Sequence, residues 1–124
     1  MLGVAVDAGL LQPSTRHSIS RNEIAKMKKG VTIVNTARGA IIDEAALVEA
    51  LRSGQVGAAG LDVFEDEPNI HPGLVESERC FLTPHMGTYT IETETKMEEW
   101  TISNVRMVIE AGVLRSIVPE QRDM

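Results

Sequence analysis

Apolar and polar positions along the chain fall into an alternation of strand-like and helix-like segments. Leu2 to Ala8 reads as a short apolar strand with two valines. Ser20-Arg21-Asn22-Glu23 is an S-x-x-E capping box, where side chain and backbone satisfy each other's free N–H groups at a helix start. Gly30 stops that helix. Val31-Thr32-Ile33-Val34 has too little polar alternation for a one-sided strand, and predicts a central parallel strand covered on both faces. Asp43 then caps a second helix, whose Leu47, Val48 and Leu51 form an apolar stripe directed at a sheet. Ser53-Gly54 ends it, and Ala58 to Phe64 is the next buried strand. A long connection, Glu65 to Arg79, leads to a third strand, Cys80 to Thr83, which stops at Pro84-His85. From Thr90 to Ala111 the pattern is helical, with Ile102, Val105 and Ile109 on one face, Trp100 beside it, and Gly112 as the stop. Ser116 to Met124 is a polar, loose tail.

This alternation is the grammar of βαβ units, so the fold class is α/β with an open parallel sheet and a long C-terminal helix. A chain of 124 residues fits one domain with a real core. Gly54, Gly57 and Gly60 imitate a nucleotide fingerprint, but their spacing is G-x-x-G-x-x-G and they lie between helix and strand. They read as a helix stop, a tight turn and close packing. No G-x-G-x-x-G occurs in the chain.

Composition narrows the partners. A net charge of −6 with interspersed signs argues against nucleic acid and against an anionic membrane surface, and 3% aromatic residues leave no base-stacking platform. One cysteine, Cys80, forms no internal disulfide and reads as a small buried apolar residue. Met1 to Leu11 lacks the basic region of a secretory signal, and no apolar run reaches the ~20 residues of a membrane span. The expectation is a soluble cytoplasmic protein. The three histidines and the cysteine show no metal-ligand spacing.

In open parallel sheets the chemistry collects at the carboxyl ends of strands. Three predicted strands end in charged or titratable groups: Arg38, the Glu65-Asp66-Glu67 cluster and His85. Arginine grips a carboxylate with a planar fork. Histidine gives or takes a proton near neutral pH, and an adjacent carboxylate orients it. The trio suits a 2-keto or 2-hydroxy acid. Which of the three acids serves is open at this level, and the other two read as a solvated turn, as do His17 and His71.

The stretches VNTARGAIIDEAALVEAL, AAGLDVFEDEP and TPHMGTYT resemble the D-isomer-specific 2-hydroxyacid dehydrogenases, and the wording PHMGTYTIET is most similar to their fungal glyoxylate and hydroxypyruvate reductase branch. The resemblance runs from about Pro13 to near the C-terminus. It implies the C-terminal half of a doubly wound, Rossmann-like NAD- or NADP-binding domain spanning residues 1–124. It also implies that Arg38 binds the substrate carboxylate, that Glu67 is the acid paired with histidine, and that His85 is the general acid and base. Thr36, Ala37, Asp62 and Gly87, together with Arg38 and His85, would lie at the cofactor, with Asp62 on the nicotinamide carboxamide. Implied too are reduction of small 2-keto acids such as glyoxylate or hydroxypyruvate, and a substrate domain toward which the helix after His85 leads. The family's G-x-G-x-x-G loop and that substrate domain have no counterpart in these residues. A second reading is therefore an inactive fragment that associates with a full-length relative.

Overall fold

The computed structural model describes residues 3–6 and 13–117, in two compact units divided after Gly87. The first unit carries four parallel strands in the spatial order β1-β2-β3-β4: Gly3–Val6, Val31–Asn35, Val56–Leu61 and Cys80–Leu82. Helices α1 (Arg21–Lys26), α2 (Glu44–Ser53) and α3 (Pro72–Val75) fill the connections. The α/β class and the parallel topology follow the alternation read from the chain. The outer residues of the first predicted strand, Leu2, Asp7 and Ala8, lie outside the described residues, as does the tail beyond Ile117.

Local chemistry accounts for the helix limits. The Ser20 N–H and Oγ–H both donate to Glu23 at the start of α1, at 3.2 and 2.9 Å. These bonds hold the Glu23 carboxyl below the usual range. Asp43 Oδ1 accepts from Ala46 N–H at 3.0 Å and caps α2, while Gly54 closes that helix in the left-handed conformation at φ 73°. Leu47, Val48 and Leu51 are buried as their spacing demands, against Val31, Ile33, Val56, Ala59 and Leu61 of the sheet. Helix α3 was not legible as a helix. Its four residues start at Pro72, and the Nδ1 of His71 accepts from Gly73 N–H at 3.1 Å, so His71 caps a helix instead of standing in solvent.

Boundaries differ from expectation at α1 and at β3. Helix α1 ends at Lys26 with Met27 as its C-cap, so Gly30, at φ 78°, makes the turn into β2 and does not stop the helix. Strand β3, expected over Ala58 to Phe64, begins at Val56 and ends at Leu61, so Asp62, Val63 and Phe64 already belong to the turn beyond it. Among the described residues of the first unit, strand β2 is covered on one face. Val31, Ile33 and Asn35 are buried, whereas Val34 is 38% exposed, and Phe81, aligned with Gly60 next to Val34, is 73% exposed. The reason is that α1, α2 and α3 pack on one another on the Ile33 side. The β-branched run reported strand propensity, and propensity does not say how many layers cover a strand.

The second unit is built on α4, Ile91–Ala111. Thr90 caps it through a bond from Thr93 N–H, and Gly112 ends it at φ 65°. None of its residues is buried, Ile102, Val105 and Ile109 included. Trp100 packs within its own unit: the Arg115 guanidinium lies 5.0 Å from its ring centre, and its Nε1–H donates to Ser116 Oγ at 3.3 Å. Among the described residues no helix is long and apolar enough to cross a membrane.

Candidate active site

Because β2, β3 and β4 are adjacent and parallel, their carboxyl ends lie along one edge, with the outer two about 10 Å apart. The segment after each strand delivers one of the expected groups there. Hydrogen bonds beyond the strands carry the alignment outward: Asp62 N–H donates to Asn35 O at 3.0 Å, and Thr83 N–H donates to Leu61 O at 2.9 Å.

After β2 the chain turns tightly through Thr36, Ala37 and Arg38. Asn35, 1% exposed, shapes this turn. Its Oδ1 accepts from Ala37 N–H at 3.1 Å, and its Nδ2 donates to Arg38 O at 2.9 Å. A buried amide with both ends engaged is a rigid staple. The Arg38 side chain is exposed, and its Nη1 donates to Ala37 O at 2.6 Å. No carboxylate among the described residues pairs with it, which leaves a guanidinium available to an anion. Gly39 follows, pressed against the β3 exit: a Cβ built there would stand 1.9 Å from the Phe64 carbonyl carbon.

After β3, Glu67 turns back to accept from Phe64 N–H at 2.9 Å, and it meets His85 from the β4 exit. His85 Nδ1 lies 2.9 Å from Glu67 Oε2 and 3.2 Å from Oε1. The bond to His85, aided by the Phe64 N–H, keeps the Glu67 carboxyl ionised below its usual range against partial burial. Of the three candidate acids, Glu67 is the one at His85. Its peptide bond to Pro68 is cis. With Nδ1 directed at the carboxylate, Nε2 is the ring nitrogen left for a substrate. A recess of about 180 Å³ lined by Phe64, Glu67, Pro68, Ile70, Pro84 and His85 opens beside the pair. That volume equals about six waters, room for a small organic acid.

Asp62 organises the histidine loop. Its carboxylate, 6% exposed, accepts from Thr83 Oγ1 at 2.6 Å and Met86 N–H at 2.9 Å on Oδ1, and from Gly87 N–H at 2.8 Å on Oδ2. His85 sits at the centre of this clamp with φ 52°, a left-handed conformation that costs a non-glycine residue about 1–2 kcal/mol. Three bonds to one carboxylate hold it there. Gly87 makes the same approach close, since a Cβ at that position would lie 3.0 Å from Asp62 Oδ2 and press on the clamp. Burial pushes the Asp62 carboxyl up, but the bonds from Thr83, Met86 and Gly87 and the nearby His85 charge outweigh it and leave it below the ordinary value of 3.8. A carboxylate depressed on folding contributes stability that is complete above its unfolded pKa and disappears as pH falls through the folded one. Asp62→Asn places an NH₂ group against one of these donors and is expected to cost about 1–3 kcal/mol at pH 7. The penalty shrinks below pH 4, which urea unfolding at pH 7 and pH 3 would measure.

The residues expected at a dinucleotide lie together around the exits of β2, β3 and β4. Thr36 is exposed and flanked by the small, buried Ala37, and Gly87 is exposed with no side chain over its backbone. Asp62 has used three of roughly four acceptor positions, which leaves Oδ2 one site for an amide donor. Among the described residues no group of three His, Cys, Asp or Glu side chains is placed to hold a metal ion.

Several contributors were not anticipated. Asn35 shares strand parity with the buried Val31 and Ile33, and an inward polar residue at a strand end is a signal that alternation alone carries. Thr83 and Glu44 gave no such signal. His17, expected in solvent, lies against Glu65: its Nε2 is 2.5 Å from Glu65 Oε1.

Comparison with known proteins identifies the family. Residues 7–87 match the family model for the D-isomer specific 2-hydroxyacid dehydrogenase, NAD binding domain. The chain is 52% identical to 4-methyl-2-oxopentanoate reductase A of Aspergillus oryzae over 92% of its own length and 35% of that protein. It is 52% identical to glyoxylate reductase 1 of Saccharomyces cerevisiae over 89% of its own length and 31% of that protein. A crystal structure of a glyoxylate reductase from Paecilomyes thermophila superposes with a TM-score of 0.86 at 56% identity, covering 92% of this chain and 35% of the other. The chain thus spans about a third of the length of the relatives it matches. A family model matched across the whole β2–β4 edge, together with fungal relatives at this identity, places the chain in the D-isomer-specific 2-hydroxyacid dehydrogenase family, as part of its NAD-binding domain.

Proposed function

We propose that this chain supplies the catalytic edge of an NAD(P)-dependent oxidoreductase that interconverts small 2-keto acids and D-2-hydroxy acids. The observation that carries the reading is the His85–Glu67 pair, held at 2.9 Å on the same sheet edge as the unpaired Arg38. Arg38 binds the substrate carboxylate through its fork. His85 Nε2 donates a proton to the carbonyl oxygen on the next carbon during reduction and recovers it during oxidation. Glu67 holds Nδ1 protonated and stabilises the imidazolium. Thr36, Ala37, Asp62 and Gly87 hold the nicotinamide end, which when bound supplies or accepts the hydride. Reductases of glyoxylate and of 4-methyl-2-oxopentanoate among the relatives support a 2-keto acid as the substrate class.

Titration of the purified chain with NADH and with NADPH tests this, followed by NAD(P)H oxidation with glyoxylate, hydroxypyruvate and 4-methyl-2-oxopentanoate. Saturable binding with turnover of one acid is the expected result. No binding at millimolar cofactor overturns autonomous activity. A second reading is favoured by the one-third coverage of the relatives and the absence of G-x-G-x-x-G from these residues. In it, the chain lacks the pyrophosphate cradle and associates with a longer subunit of the same family. Co-elution with such a subunit, without cofactor binding by the chain alone, would establish it.

A further inference from the structure

We propose that Arg16, His17 and Glu65 form a positioning latch that sets the Glu67–His85 pair relative to Arg38; the proposal rests on the acid–base reading above. Glu65 and Glu67 are two residues apart on the β3 exit, and each meets a histidine with left-handed backbone, His17 at φ 51° and His85 at φ 52°. Strained non-glycine backbone persists where its surroundings over-determine it. At His17 they do. Its N–H donates to Ala40 O at 2.8 Å, Ile19 N–H donates to Ile41 O at 3.1 Å, and Asp43 N–H donates to Ile19 O at 3.0 Å. The segment carrying His17 is thereby tied to the stretch directly after Arg38.

From that stretch the latch reaches across to the acid. Glu65 Oε1 receives Arg16 Nη2 at 2.6 Å and His17 Nε2 at 2.5 Å, and the Glu65 side chain is only 22% exposed. The Glu65 N–H donates to the buried Glu44 at 2.7 Å, in the first turn of α2. Gly39 lies against the Phe64–Glu65 backbone. Two segments distant in sequence, residues 16–17 and residues 39–44, therefore converge on Glu65, two residues before Glu67. Ion pairs this near the surface add little to global stability. Their value here is geometric, because a misplacement of about 1 Å at a catalytic group costs on the order of 100-fold in rate.

The test uses the full 124-residue chain and follows the Glu67 carboxyl by carbon-detected NMR titration, beside thermal unfolding. In the parent, the bond to His85 holds the Glu67 pKa below 4.5. Glu65→Gln deletes a neighbouring negative charge, which by electrostatics alone would lower the Glu67 pKa further. Loss of positioning does the opposite, so an upward shift toward 4.5 is the expected result. His17→Ala should shift it upward too. His17→Gln, whose amide N–H can replace the Nε2 donor, should restore the parent value. An unchanged or lowered Glu67 pKa in Glu65→Gln, with only a lower Tm, overturns the latch. Should Glu65→Gln not fold, an unmoved Glu67 in His17→Ala overturns it equally. His85→Ala separates the two levels: if it leaves Glu67 unmoved, the acid–base pair itself fails, whereas a shift there but not in the latch variants rejects the latch alone.

Discussion

Replacing His85 with alanine is expected to lower 2-keto-acid-dependent NAD(P)H oxidation by about 10²–10⁴-fold, with cofactor affinity changed far less. The size follows from what the ring does. His85 Nε2 is the nitrogen left free by the Nδ1–Glu67 contact, so under the proposed function its removal takes away the proton donor and strands a carboxylate near the developing alkoxide. Glu67→Gln should act in the same direction with a smaller loss. The amide retains a hydrogen bond to Nδ1 but no longer stabilises the charged ring, so reduction falls most where the imidazolium is needed. Stopped-flow absorbance of NAD(P)H at 340 nm, run at saturating cofactor, distinguishes the chemical step from binding. Activity of His85→Ala within tenfold of the parent would reject the assigned acid.

The largest stability effect is expected at a residue without a side chain. Gly39→Ala puts a methyl group 1.9 Å from the Phe64 carbonyl carbon and 2.5 Å from the Glu65 nitrogen, backbone atoms that cannot swing away. The turn after β2 and the exit of β3 must separate, and the cost is on the order of 3 kcal/mol or more. That is a large share of the roughly 5–15 kcal/mol that holds a domain folded. Gly60→Ala is the control, because its nearest new contacts are Val34 methyls at 3.8 and 4.0 Å on the open sheet face. Urea midpoints should fall sharply for the first variant and stay level or rise slightly for the second. The two together report that Gly39 is required by close approach between the segments bearing Arg38 and Glu67.

Element type was legible because it is written locally. The capping box at Ser20, the cap at Asp43, the left-handed stops at Gly54 and Gly112, and the apolar stripe of Leu47, Val48 and Leu51 all depend on neighbours within a turn or two. Parallel order was legible because the connections between strands are long. With the topology, the placement of Arg38, an acid and His85 at one edge followed. Motif resemblance singled out Glu67 from its neighbours, a choice that spacing leaves open. What stayed hidden depends on groups distant in sequence. Among the described residues of the first unit, burial of β2 on one face is decided by where three helices pack. The clamp of Asp62 on Thr83, Met86 and Gly87 spans more than twenty residues, and the contact of His17 with Glu65 spans 48. By itself, then, the sequence determined the α/β class, the starts of α1 and α2, the end of α2 and the chemical types at the strand ends, since each rests on short-range propensity and on spacing. Only the tertiary structure decided the contact distance between Glu67 and His85, the clamp of Asp62 and which histidine is a structural partner, because hydrogen-bond distance between remote residues is a property of the packed chain.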